Sequence, residues 1–321
     1  MILFEGVFLA LLVAIILDAI FGEPDWLWSR VPHPVVAFGK VIDWADNKFN
    51  DLDKPFRQRR VAGLIFGVSF ALGSFLLGTV VHLALAAVPF GWIIVSALAA
   101  ILIAQRSLYD HVMAVATGLE TGGIEGGREA VRLIVGRDPD ALDGTGISRA
   151  AIESTAENFS DGVVAPVFWF ALFGLGGIVA YKAINTADSM IGHRNERYEH
   201  FGAASAIIDD LVNLIPARLS ALLVALATPI CGGSFSNALK TVRKDANKHR
   251  SPNAGWPEAA MAGGLGLALS GPRSYGGQMT AEPYVNEDGR KLLGPADIRR
   301  ALHVMIWASI LQAGIVALAA L

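Results

Sequence analysis

The longest uncharged run in the chain extends from Val61 to Ala104. It is 44 residues without Asp, Glu, Lys or Arg, and His82 is its one titratable side chain. A membrane-spanning helix needs roughly 20 predominantly apolar residues, so this run holds two, turned at Pro89-Phe90-Gly91. The pattern predicts a helical hairpin with spans near 61–88 and 90–106. Ala301–Leu321 is also free of Asp, Glu, Lys and Arg and predicts a span near 301–321. Residues 2–20 form a weaker candidate span, interrupted by Glu5 and Asp18. Gly162–Ala180 and Leu219–Leu239 lack charge as well and predict spanning or re-entrant segments near 162–180 and 215–235.

These last two segments carry helix breakers. Gly174-Leu175-Gly176-Gly177 sits inside the first, and Pro229 with Gly232-Gly233 inside the second. Broken helices are tolerated at membrane depth where they line a cavity. Glycine is also simply more frequent in transmembrane helices than in soluble ones, so both readings stand. Together the segments predict an all-α polytopic membrane protein. It has about five hydrophobic helices, some broken or re-entrant, and helical cytoplasmic loops, and 1–321 is one integral-membrane domain.

Basic residues set the topology. Loop 21–60 carries Arg30, Lys40, Lys48, Lys54, Arg57, Arg59 and Arg60, whereas the turn at 88–91 carries none. Loop 105–161 carries Arg106, Arg128, Arg132, Arg137 and Arg149, and residues 240–300 carry ten Lys or Arg. By the positive-inside rule these loops are cytoplasmic and both termini lie outside. The first Lys or Arg is Arg30, so the N-terminus lacks the basic start of a secretion signal and reads as a retained span. Loop 181–214 faces outward if its flanking segments span, and inward if they re-enter.

Composition narrows the class. Apolar and aromatic residues with cysteine make up 53% and charged residues 17%, against near 25% charged in soluble domains. Disordered and fibrous classes are excluded, and an ordinary cytosolic enzyme does not fit. Cys231 is the one cysteine, which excludes a disulfide framework within the chain. The net charge of −3 offers no basic excess for nucleic acid.

The scarce polar residues gather in five segments. In the first, Pro32 and Pro34 hold His33 in an extended backbone, which suits either a fixed contact or a rigid turn. In the second, Glu153, Glu157 and Asp161 recur at helical spacing beside Asn158. Like charges on one stripe repel unless solvated or bridged by a cation such as Mg²⁺, which binds through one or two carboxylates plus substrate phosphates. The third sets Asn185 and Asp188 near Arg194 and Arg197, a carboxylate–guanidinium pairing expected where metal and anion meet, or in a local salt-bridge set. The fourth, Asp209-Asp210 with Asn213 and Arg218, runs directly into apolar sequence, where ionisable residues are functional candidates by default. The fifth places Asn253, Pro257 and Glu258 ahead of small residues and the glycine-rich stretch 271–277. No P-loop lysine motif, His-Glu-x-x-His or Gly-x-Ser-x-Gly occurs, so P-loop nucleotide use and zinc hydrolysis lack local support.

Taken in order and spacing, these segments closely resemble the CobD/CbiB family of cobalamin biosynthesis, the adenosylcobinamide-phosphate synthases. The resemblance covers nearly the whole chain. It rests on Pro32-His33-Pro34-Val35, Glu153-Ser-Thr-Ala-Glu157-Asn158, Asp161-Gly162, Asn185-Thr186, Asp188-Ser-Met190, Asp209-Asp210 with Asn213, Pro216-Ala-Arg218, Ser251-Pro-Asn-Ala-Gly255 and Pro257-Glu258-Ala-Ala-Met261. Glu23 stands where the family often has Asp, and Ile207-Ile208 where a basic residue is frequent.

The resemblance implies a prokaryotic inner-membrane ligase. It joins (R)-1-amino-2-propanol or its O-phosphate by an amide bond to a propionate carboxylate of adenosylcobyric acid. ATP is the expected co-substrate and Mg²⁺ the expected metal, with other late cobalamin-pathway membrane proteins as potential partners. On this reading Glu153, Glu157, Asp161 and Asp188 serve metal and nucleotide. Arg194, Arg197 and Arg218, with Asn158, Asn185, Asn213 and Asn253, bind substrate. Asp209 or Asp210 takes the amine's proton or serves as a second metal ligand, and His33 and Glu258 complete the catalytic candidates. Two other classes stay open: a different Mg²⁺-dependent membrane group-transfer enzyme, and a corrinoid-binding carrier.

Overall fold

The computed structural model describes residues 6–135, 139–275, 278–280 and 282–321. Residues 2–5 of the 2–20 segment, Glu5 included, and Arg137, Gly276 and Gly277 lie outside the described residues. The protein is all-α apart from two short antiparallel strand pairs, β1 (Leu269–Ser270) with β4 (Tyr284–Val285) and β2 (Arg273–Tyr275) with β3 (Gln278–Thr280). The helices in chain order are α1 (Val7–Phe21), α2 (Asp25–Trp28), α3 (Pro34–Phe49), α4 (Phe56–Ala86), α5 (Gly91–Ala100) and α6 (Gln105–Val131). They continue with α7 (Gly144–Phe159), α8 (Ala165–Ile191), α9 (Ala203–Ala227), α10 (Phe235–Asp245), α11 (Gly255–Leu265) and α12 (Pro295–Ala319).

Among the described residues, five helical runs are long and apolar enough to cross a membrane: Phe56–Ala86, Gly91–Val131, Gly144–Ile191, Ala203–Cys231 and Pro295–Ala319. α1 is an apolar helix of 15 residues, about 22 Å long at 1.5 Å per residue, which is short for a hydrocarbon core of about 30 Å. The segment near 215–235 is interrupted where its helix breakers stand. α9 stops at Ala227, because Pro229 sits in a 3₁₀ turn over Thr228–Cys231 and Gly232 turns left-handed at φ +71°. The helix at 90–106 stops at Ala100, and a new one begins at Gln105.

The chain divides into two compact units. The first comprises residues 1–104, 165–213 and 316–321, the second 105–164 and 214–315.

In the first unit, α4 packs along α8 and α3 packs on both. The core joins Ile42 and Ala45 of α3, Phe66 of α4, Ala187 and Ile191 of α8, and Phe201. α4 and α8 approach closely because both carry glycine at the crossing. A Cβ on Gly176 would stand 2.2 Å from Thr79 Oγ1, and one on Gly78 would stand 2.5 Å from the Leu175 carbonyl oxygen. Such small-residue seams are how helices associate in lipid, where the apolar effect gives no drive. The outer side of α4 leaves Leu64, Ile65, Val68, Leu72 and Leu76 exposed, as a lipid-facing helix does.

Two side chains mend the helix breaks of this unit. Gly174 adopts φ +58°, a conformation costly for other residues, and interrupts α8. The Leu175 N–H there donates to His82 Nδ1 at 3.1 Å. The lone titratable group of the long apolar run is therefore a backbone cap. In α9, Pro216 has no N–H for the Val212 carbonyl, and Trp169 Nε1 donates to that carbonyl instead at 3.1 Å.

In the second unit, α6 folds back on itself at Gly123 and packs on α7. α10 and α11 pair, and α11 packs on α7. Asp143 caps α7 by accepting from the Gly146 N–H at 2.6 Å. A π-helical turn over Ser160–Val164 follows α7. Such turns are rare and frequent at functional sites.

Candidate functional site

The structure gathers the polar segments into clusters within each unit. In the first unit, α8 carries Tyr181, Asn185 and Asp188 at i, i+4 and i+7, so they share a face. α9 carries Asp209 and Asn213 one turn apart. Asp209 is buried. Its Oδ2 accepts from Asn213 Nδ2 at 3.0 Å, and its Oδ1 accepts from Asn185 Nδ2 at 3.4 Å. Tyr181 donates its hydroxyl to Asn213 Oδ1 at 3.0 Å, which fixes which way that amide points. Asp188 and Asp210 both act electrostatically on Asp209, and Asp210 also acts on Asp188, with His193 near Asp188 and Arg194 near Asp210. Neither Asp188 nor Asp209 forms an ion pair with Lys or Arg among the described residues. Four of the residues expected to bind or react, Asn185, Asp188, Asp209 and Asn213, therefore stand together.

Arg197 is engaged elsewhere. It donates to Asp46 Oδ2 from Nε at 3.0 Å and from Nη2 at 2.6 Å. Asn50 donates to Asp46 Oδ1 at 2.7 Å and accepts from Arg59 Nε at 2.8 Å, and the Arg59 guanidinium donates to the Arg197 carbonyl. This buried network ties the turn after α8 to α3 and α4, and the same turn carries His193 and Arg194.

His33 caps α3, with Nδ1 accepting from the Val35 N–H at 3.2 Å. Its ring meets Trp28 edge-on at 4.5 Å between centroids. Nε2 is buried without a hydrogen bond of ordinary geometry, although the Ile101 carbonyl lies close enough to act on the ring. Burial holds the imidazole below its usual pKa, against a smaller opposing pull from Glu23.

In the second unit, Glu153 is buried, and its Oε1 accepts from the Ser270 N–H at 2.7 Å. Ser270 Oγ reaches Glu258 Oε2 at 3.4 Å, and His249 Nε2 lies 3.7 Å from Glu258 Oε1. Ser270 holds φ +56°, uncommon for a non-glycine residue. Glu157 and Asn158 are exposed one turn beyond Glu153, and Asp161 lies in the π turn. The acidic repeat thus divides between an inward Glu153 and an outward Glu157. Asn158 donates to the Ser154 carbonyl and hydroxyl, both at 2.9 Å.

Arg218 stacks over the Trp256 ring at 4.4 Å. One nitrogen donates to Asn253 Oδ1 at 3.0 Å and to the Leu214 carbonyl at 2.8 Å.

Sequence reading did not single out His249, Tyr181 or Ser270. Tyr181 had a usable signal, since it precedes Asn185 by one helical turn. His249 and Ser270 had none, because they meet Glu258 and Glu153 only through the tertiary fold.

Among the described residues no three His, Cys, Asp or Glu form a ready-made metal cage. Mg²⁺ does not require one, since it commonly takes one or two carboxylates and completes its shell with water and substrate phosphate. Asp188 beside Asp209, with no Lys or Arg paired to either, fits such a cation.

The family model described as CobD/Cbib protein matches residues 11–305. A Cobalamin biosynthesis protein CobD from a Sinorhizobium species is 50% identical over 316 residues, covering 97% of this chain and 98% of the relative. Proteins of the same name are 49% identical in Brucella anthropi, over 96% and 95% of the two chains, and 50% identical in Rhodobacter capsulatus, over 91% and 90%. No solved structure matches. The chain is a member of the CobD/CbiB family of cobalamin biosynthesis proteins.

Proposed function

We propose that this protein joins (R)-1-amino-2-propanol or its O-phosphate to a propionate carboxylate of adenosylcobyric acid, giving adenosylcobinamide or its phosphate. The reading rests on family membership together with one local arrangement. That arrangement is the buried Asp209, oriented by the Asn185 and Asn213 amides.

A propionate carboxylate is a poor electrophile at neutral pH. ATP transfers its terminal phosphoryl group to a propionate oxygen, leaving ADP. The amine nitrogen then attacks the acyl carbon, the C–N bond forms, and phosphate departs with the oxygen that it activated. The amine must lose a proton in this step. Asp209 takes that proton, because its two amide donors set the direction of the remaining lone pairs. Arg194, in the same unit as Asp188 and Asp209, holds an anionic group of the substrates. Asp188, in the same unit as Asp209, would hold Mg²⁺, which when bound would neutralise charge on the nucleotide phosphates. In this reading both termini lie outside the inner membrane and the reacting groups face the cytoplasm, where ATP is.

The test is turnover by purified full-length protein in lipid nanodiscs. It is given adenosylcobyric acid, aminopropanol or its O-phosphate, ATP and Mg²⁺. Product of the amide mass, formed in step with ADP, is expected. Corrinoid retention without turnover under any combination overturns the ligase reading in favour of a carrier. Transfer to a different acceptor without ATP favours another group-transfer enzyme.

A further inference from the structure

α3 has two faces. Phe38, Ile42 and Ala45, at i, i+4 and i+7, pack into the core of the first unit. The opposite side leaves Val36, Val41 and Trp44 exposed, with Trp44 at 54%. Trp26 and Val31 before the helix, Phe49 at its last position and Leu52 after it are exposed too. A helix of 16 residues carrying Lys40, Asp43, Asp46 and Lys48 is too short and too polar to span a bilayer.

The exposed charge between residues 30 and 60 is mostly positive. Arg30, Lys40, Lys48, Arg57 and Arg60 are all exposed. Of the acids in the same stretch, Asp46 is buried against Arg197, and Asp51 pairs with Lys54, which leaves Asp43 and Asp53 as the other exposed carboxylates. Lys48 lies with its ammonium over the Trp44 ring at 5.0 Å and the Phe49 ring at 5.6 Å. The stem thus covers aromatic surface while the charge stays at its edge, the posture of an interfacial lysine. The chain then enters α4 at Phe56, whose exposed leucines and valines begin within two turns. The amphipathic segment therefore leads directly in sequence into a helix with a lipid-facing side.

We propose that α3 lies along the membrane surface and binds anionic phospholipid. Lys40 and Lys48 take the headgroup phosphates, and Val41 and Trp44 enter the acyl boundary. Apolar aromatic residues flanked by lysines are the composition of helices that lie in the interface plane. Each basic side chain at an anionic surface adds to the attraction. The inference is independent of the reaction proposed above.

The experiment uses full-length protein in nanodiscs of phosphatidylcholine with about one-third phosphatidylglycerol. The Trp44 emission is taken as the difference between the protein and its Trp44→Phe variant. Lipid brominated near the headgroup end of its chains is expected to quench that component, and aqueous iodide is not. In parallel, mass spectrometry of lipid retained through detergent extraction is expected to show phosphatidylglycerol preferred over phosphatidylcholine. The doubly substituted Lys40→Gln, Lys48→Gln protein should lose that preference by about threefold or more. Quenching by iodide overturns the proposal by placing the face in water. Shielding from both quenchers overturns it by placing a protein partner there, and an unchanged headgroup preference overturns the lysine assignment. Both lysines are exposed, so the variants are expected to fold.

Discussion

Asp209 shows how a single residue acquires a role from its neighbours. On its own it is an acid next to apolar sequence. In the fold its two oxygens receive separate amide donors, and the Tyr181 hydroxyl orients one of those amides. Asp209→Asn keeps the volume and removes the proton acceptor. It is expected to lower kcat by about a hundredfold or more while the KM for corrinoid changes little. A fall in affinity with kcat intact would assign Asp209 to binding.

His33 gives a pH prediction at the same scale. Its folded-state pKa lies below the ordinary 6.5 because the ring is buried. The folded protein therefore binds the proton less readily than the unfolded chain. The stabilisation is complete above pH 6.5 and is lost as pH falls from there through the lower folded value. Protonation of Nδ1 also removes the acceptor that caps α3. Thermal unfolding measured between about pH 7 and pH 5 should show a loss on acidification. His33→Asn retains a capping side chain and should flatten that part of the profile.

At the scale of elements, the broken helices depend on side chains from elsewhere. His82→Ala leaves the Leu175 N–H without an acceptor at the Gly174 break. It should cost about 1–3 kcal/mol, read by thermal or detergent-denaturation midpoints. Trp169→Phe leaves the Val212 carbonyl beside Pro216 without its indole donor and should cost about 1 kcal/mol. Gly176→Ala drives a methyl into Thr79 and should destabilise by about 1–3 kcal/mol. Adding Thr79→Ala should recover part of the loss, because the clash is with Oγ1. Full additivity of the two changes would show that the helices separate instead of clashing.

At the scale of the whole molecule, the chain's sidedness bears on the proposed chemistry. Ser189 is exposed at the end of α8, one residue from Asp188. With Cys231→Ser as background, Ser189→Cys is expected to react with a membrane-impermeant maleimide only from the cytoplasmic side. Labelling only from the outer side would contradict a site supplied with cytoplasmic ATP.

The hydrophobic pattern alone carried the all-α membrane class, because 44 uncharged residues admit few other solutions. Pattern also located the polar segments, since charge is too scarce in this chain to be spent at random. Helix breaks at Gly174 and Pro229 were legible too, for glycine and proline act through local backbone geometry.

Other features needed the tertiary structure, because they depend on partners distant in sequence. His82 and the core of α4 read alike as apolar sequence, and only the approach of Leu175 makes His82 a cap. Glu153 and Glu157 share a predicted stripe, yet the packing of α7 turns one inward to Ser270 and leaves the other exposed. Arg197 looked like a substrate cation, and Asp46, 151 residues away in sequence, binds it. Local propensity and hydrophobicity are written residue by residue. Which buried polar group satisfies which is decided only when the helices meet.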